Sequence, residues 1–425
     1  MTLTEVVHVP ATSLTRDLIA STPVAVLRAT AAALAVAALG QVPPSLFNVA
    51  GGGLAIETQL RVGWLYTMAG HAVSIRAIGS RGSVDGLGAG VVSLRLGMLT
   101  IAAVAIVMLV TGARATARRV EDAGARRIVA GALLAVPYAV LIGGVNAGVG
   151  LRLDTGGGFL PSATTFAAPL WEGFVIPGAL ALVAGAFGGW SVSESWHRPA
   201  GRVARAGVWG FGWAVALSFV GVLVFATVRP EGLERYSVEM WSAGPQRAAL
   251  YIGHQALLLP DQAMWVVAPS MGACVSLRVD EGAHDVLCLD RIPRAPDPAI
   301  WLLSELGRVD GSPPVAPMPL AAWLFVAVPT AAILLGFRRL GRSAPSFVRA
   351  VARGLFAGAV FAALVTTTAL AGSLWLGVQD GDATRSVALG PDPLLTAALA
   401  LAWGLVGGAV VCTASHASRR LSRRG

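Results

Sequence analysis

GLFAGAVFAALVTTTALAGSLWLG, residues 354–377, runs for twenty-four positions without one ionisable side chain. A helix of that length rises about 36 Å at roughly 1.5 Å per residue, enough to cross a hydrocarbon core of about 30 Å. Just before it stand Arg338, Arg339, Arg342, Arg349 and Arg353. An apolar run with a basic cluster at one end reads as a membrane helix whose basic end stays in the cytoplasm.

Working outward, the same reading applies at 22–41, 91–112, 128–150, 168–190, 207–228, 318–337 and 394–414. With 354–377 that makes eight spans, and Arg28 and Arg95, near span ends, can snorkel to the headgroups. Further arginines gather at 114–127 (Arg114, Arg118, Arg119, Arg126, Arg127), at 198–205 (Arg198, Arg202, Arg205) and in the tail (Arg419, Arg420, Arg423, Arg424). With eight spans all these clusters fall on one side, so both termini are expected in the cytoplasm of a bacterial plasma membrane. Residues 1–21 carry Glu5, Arg16 and Asp17 and lack a cleavable signal pattern, so the first span is expected to act as an uncleaved anchor.

The expected fold class is an all-α integral membrane protein with about eight transmembrane helices and a small outer β-hairpin. The expected organisation is a cytoplasmic N-terminus (1–21), a membrane half (22–190, outer loop 42–90), a linker (191–206), a second half (207–414, outer loop 229–317) and a basic tail (415–425). In each half the first outer loop is long and the second short. Each long loop holds a sub-spanning apolar stretch, Val62 to Ile75 and Ala248 to Val275, suited to a re-entrant or interfacial segment. The second is broken by Pro260, Asp261 and Pro269, which lipid would not satisfy in one crossing helix. Leu65-Tyr66 with Gly70-His71 is echoed by Leu250-Tyr251 with Gly253-His254, compatible with a parallel 4+4 duplication. Small residues four apart at Gly144/Gly148, Gly185/Gly189, Gly354/Gly358 and Gly404/Gly408 suit close helix packing.

Composition agrees. Of 425 residues 55% are hydrophobic and 13% charged, with mean hydropathy +0.69, which excludes a soluble globular class. The net charge is +9 and the chain has no lysine, a bias of GC-rich coding. The arginines sit in short clusters between apolar runs, which points to anionic lipids at the cytoplasmic face and away from nucleic acid.

Chemistry is sparse. No Walker loop, dinucleotide fingerprint, HExxH or CxxC occurs, so no catalytic residue, cofactor or metal is expected. The polar residues that suit a ligand or transport role are Glu172 and Asn146 near span ends, Asp261, and His71 with His254, which the echo places in matching positions. Each has a plainer structural use: an interfacial acid, an interhelix hydrogen bond, or a cap on a short helix.

Cys274 and Cys288 are the two cysteines outside the expected spans, in the outer, oxidising region. Val275 to Val279 alternates as a strand, Asp280-Glu281-Gly282 suits a three-residue turn with left-handed Gly282, and Ala283 to Leu287 returns. Pairing Val279 with Ala283 sets Cys274 opposite Cys288, close enough for a disulfide, whereas Cys412 in the last span is expected reduced.

The layout, with Leu60-Arg61-Val62-Gly63-Trp64-Leu65 leading to Gly70-His71, Leu259-Pro260-Asp261-Gln262-Ala263-Met264-Trp265, and Gly390-Pro391-Asp392-Pro393, resembles the actinobacterial family of polytopic membrane proteins identified as cell-division protein PerM. The resemblance implies a non-enzymatic cell-envelope protein that supports division through membrane-protein partners, and it brings no catalytic residues. A transporter or lipid-handling permease, with its site between paired re-entrant segments, is the alternative that the paired layout allows.

Overall fold

In the computed structural model of the chain, residues 11–49, 53–79, 91–95, 97–120, 124–154, 163–193, 199–228, 258, 260–279, 282–293, 315–317, 320–380 and 383–422 are described. Eight helices among them are long and apolar enough to cross a membrane: Ile19–Asn48, Leu99–Ala117, Ala125–Gly148, Leu170–Ser191, Pro199–Gly221, Trp323–Arg342, Phe347–Ala371 and Pro393–Leu421, here spans 1 to 8. Two of them give way to strands where the apolar runs suggest helix. Span 2 starts at Leu99 because Val91–Arg95 is a strand, and span 7 stops at Ala371 because another strand begins at Leu374.

Those strands belong to a sheet much larger than the expected hairpin. Its members are β1 (Ile75–Gly79), β2 (Val91–Arg95), β3 (Leu151–Asp154), β4 (Ala163–Ala167), β5 (Val275–Val279), β6 (Gly282–Leu287), β9 (Leu374–Asp380) and β10 (Ala383–Pro391), while β7 (Arg291–Pro293) and β8 (Val315–Pro317) pair separately. The eight run β3-β4-β1-β2-β9-β10-β5-β6, all neighbours antiparallel. The first four strands come from the first half, the last four from the second, and β2 joins β9 at the middle with Ser93 opposite Gly377. Alternation explains why each short piece pairs: Leu277, Leu389 and Leu376 point to one face, while Arg278, Ala388 and Trp375 point to the other. The first set, with Val275, Val387, Leu287, Leu374 and Trp265, forms a small core of its own.

Beneath the sheet the spans pack in one pattern twice. In the first half span 1 packs on 2, span 2 on 4, span 3 on 4, and span 1 on 3; in the second, span 5 packs on 6, 6 on 8, 7 on 8, and 5 on 7. Two buried clusters follow, and Leu99 is the one first-half member of the second cluster. Within each bundle the helix backbones approach closely at glycines. Gly131 of span 3 touches the backbone at Gly185 and Gly189 of span 4, and Gly354 and Gly358 of span 7 touch Gly408 and Gly404 of span 8. An added Cβ at any of these would overlap backbone atoms. Gly144 and Gly148 of span 3 have open space instead, so that pair plays no part in the packing.

Candidate functional site

The polar residues singled out from sequence meet mostly where the ends of the helices join the sheet. In the first half the short helix Ile56–Gly70 ends in a Schellman-type turn, with the Val73 N–H donating to Met68 O at 3.1 Å and Ala72 in the left-handed region at φ 59°. His71 is buried beside this turn. Its Nδ1 lies 2.8 Å from Thr67 O and its Nε2 2.8 Å from the Tyr138 hydroxyl of span 3. A carbonyl only accepts, so Nδ1 carries the proton and Nε2 accepts from Tyr138. Burial pushes the imidazole pKa down to about 4, opposed by the bond to Thr67, so His71 is neutral.

Glu172 sits in the first turn of span 4, buried, where the unpaired N–H groups of a helix favour a carboxylate. It accepts from the Ser74 N–H at 3.0 Å and from the Ser74 hydroxyl, and Arg76 of β1 approaches it at 3.8 Å. This clamps the start of β1 to span 4. Asn146 of span 3 donates to Ala168 O at 3.4 Å and lies so near Gly173 that a Cβ there would collide, while its Oδ1 is buried without a partner among the described residues.

Asp261 belongs to the second half, in a short helix over 260–270. It reaches across to the first half and accepts from the Leu99 N–H at 3.1 and 3.4 Å, capping span 2, whose own cap residue Met98 offers no side-chain acceptor. Burial raises its pKa to about 8, against the lowering effect of the Leu99 N–H. Trp265, one turn on, donates its indole N–H to Gly372 O at 3.4 Å, just past span 7. Asp261 and Trp265 thus tie the helix to both halves beside the β2–β9 junction.

The sheet register also corrects the expected echo. β1 and β5 follow turns with the same bonds, since the Met271 and Gly272 N–H groups donate to Ala268 and Pro269 O as those of His71 and Ala72 do to Met68 and Ala69 O. The place of His71 is therefore matched by Met271, and His254 lies outside the described residues. Cys274 and Cys288 do form a disulfide, with Cα atoms 4.6 Å apart. The hairpin beneath it differs from expectation: Val279 pairs with Gly282, which is a strand residue, and a register shift between Val275 and Ser276 absorbs the extra residue, so Val275 still faces Leu287. Asp285 comes near both sulfurs, but these are bonded to each other and Asp285 accepts from Ser276 Oγ at 2.8 Å. Cys412 is free and buried.

Tyr138, Ser74, Arg76 and Leu99 complete these sites without a sequence signal. A backbone N–H has none to give, and a tyrosine among apolar residues looks like packing. Comparison of the chain with protein-family models, curated proteins and solved structures finds no match in any of the three.

Proposed function

We propose that the chain is a multi-pass protein of the bacterial plasma membrane with both termini cytoplasmic, built of two parallel four-span units joined by one outer sheet, and that it serves the cell envelope as a non-enzymatic scaffold. The repeated strand order and span packing support the two-unit reading. The observation that carries the functional reading is the use made of the buried polar groups. Glu172 is occupied by Ser74 and Arg76, His71 by Thr67 and Tyr138, and Asp261 by Leu99, so each fastens one element to another. A transporter would aim such groups at its cargo.

What is left for recognition is the sheet face turned from the core, which carries Arg95, Arg152 and Arg278 beside the Glu172-bound Arg76. A rigid, arginine-bearing surface suits contact with other envelope proteins. The resemblance to the PerM family agrees, and division is the process it would place the chain in. Reporter fusions after Ala125 and after Pro293 test the orientation, the first expected cytoplasmic and the second outside. Photo-crosslinking from Ile78 and Thr165, on the same sheet face, tests the role: discrete adducts with membrane proteins are expected. Absence of adducts, together with chain-dependent solute uptake into vesicles, would replace the scaffold by a transporter.

A further inference from the structure

One row of residues crosses the junction between the halves. Arg95 of β2 faces Trp375 of β9, Trp375 faces Ala388 of β10, and Ala388 faces Arg278 of β5, all on the sheet face turned from the core. Three strand spacings of about 4.8 Å set the two arginine backbones roughly 14 Å apart. Both side chains nevertheless line one open cavity of 230 Å³ together with Trp375, Ala388, Leu370, Ser373 and Leu374. The Trp375 ring occupies the space above Gly377 that any Cβ there would need, which fixes it as a wall.

Two guanidinium groups over an apolar floor repel each other unless an anion joins them. Among the described residues the ion pairs are Arg61–Glu57 and Arg76–Glu172, so no described carboxylate pairs with Arg95 or Arg278. The Ser373 hydroxyl already donates to Ala369 O at 2.9 Å, which leaves the arginines as the donors. Their forked N–H groups match the oxygens of a phosphate. The cavity is smaller than a drug-sized site but has room for a headgroup. Leu370, half exposed on the last turn of span 7, makes its wall on the bilayer side apolar.

We infer that this cavity binds the phosphate-bearing headgroup of an anionic amphiphile, held by Arg95 from one half and Arg278 from the other. The lipid source rests on the outer, membrane-proximal placement of the sheet proposed above; the oxyanion chemistry does not. A bound phosphate would bridge the halves a short distance from the Asp261 cap on span 2.

Native mass spectrometry of the full-length protein in detergent, with added phosphatidylglycerol or phosphatidylcholine, reads the lipid arm, and calorimetry with inorganic phosphate reads the soluble arm. The double variant R95Q/R278Q is expected to hold phosphatidylglycerol, phosphate or both roughly tenfold more weakly than the wild type, the order set by losing charge-assisted hydrogen bonds. A388F keeps both arginines and fills the floor, and is expected to lose binding as well. R339Q/R342Q, changed at the far end of span 6, is expected to keep it. Preference for phosphatidylglycerol over phosphate identifies a lipid headgroup; equal binding identifies a soluble phosphate compound. Binding of both probes by R95Q/R278Q and by A388F within about twofold of the wild type, a difference below 0.5 kcal/mol, would overturn the site. The reporter fusions judge the membrane placement separately.

Discussion

The short helix, turn and strand of the first half and those of the second share one backbone and differ in nearly every polar side chain. Residues 56–79 and 260–279 each run from a helix through a Schellman-type turn, closed at 3.1 Å by Val73 and at 3.0 Å by Ala273, into a strand that pairs with the strand ahead of a span. Where the first has His71 bonded to Tyr138, the second has Met271. Where Ser74 is held by Glu172, Cys274 is held by Cys288. Arg61 stays within its half on Gly150 O, whereas Asp261, as far ahead of Met271 as Arg61 is of His71, crosses to the other half. Local capping and pairing set the frame. The cross-links that hold it are interchangeable, covalent in one half and hydrogen-bonded in the other.

The largest test of that interchange is the disulfide. C274S/C288S is expected to cost about 3 kcal/mol for so short a loop, and reductant should lower the melting temperature of the wild type but not of the double variant. Its counterpart, E172A, leaves the Ser74 N–H and hydroxyl unpaired and is expected to cost about 2 kcal/mol, since bonds to a charged group are worth roughly 1.5–3. If E172A were silent while C274S/C288S unfolded the protein, the two fastenings would not be counterparts.

The buried titrating groups should give the halves opposite pH responses. His71 has its folded pKa lowered to about 4, below its unfolded value of 6.5, so it binds fewer protons folded and stability falls as pH drops from 6.5 towards 4. Asp261 has its folded pKa raised to about 8 from 3.8, so stability falls as pH rises from 4 through 8. H71M, which copies Met271, should flatten the rising limb of stability between pH 4 and 6.5, and D261N the falling limb between pH 4 and 8. If the two substitutions flattened the same limb, the assignment of these groups would fall.

Sequence disclosed the helices and hid most of the sheet, for a physical reason. Apolar length is a local property, and each of the eight spans carries it in its own residues. A strand of four to nine residues is fixed by partners far along the chain, so Val91–Arg95 and Leu374–Gly377 were indistinguishable from the ends of apolar spans. The Cys274–Cys288 hairpin was legible because its partner strand lies within a turn's length. Asp261 was visible as an acid in an apolar stretch, but its partner is the Leu99 backbone, 162 residues away, which no side chain announces. The second part of the echo, Leu250 to His254, lies outside the described residues, and the correspondence between 71–73 and 271–273 rests on backbone conformation that no residue pattern carries.

The smallest effect isolates that conformation. Ala72 at φ 59° and Gly272 at φ 100° occupy the same step of the two turns, and both lie in the region where a Cβ is strained. Gly272 is not crowded, since an added Cβ there meets only Leu399 in ordinary contact. Backbone strain alone should therefore decide the outcome of exchanging them. A72G is expected to stabilise and G272A to destabilise, each by about 1 kcal/mol, with the double exchange close to the wild type. The opposite signs matter more than the size, because ordinary loss of a methyl contact at Ala72 would make A72G destabilising. Chemical denaturation of the two single variants and the double in one detergent measures all three, and two shifts of the same sign would show that the turns are not equivalent.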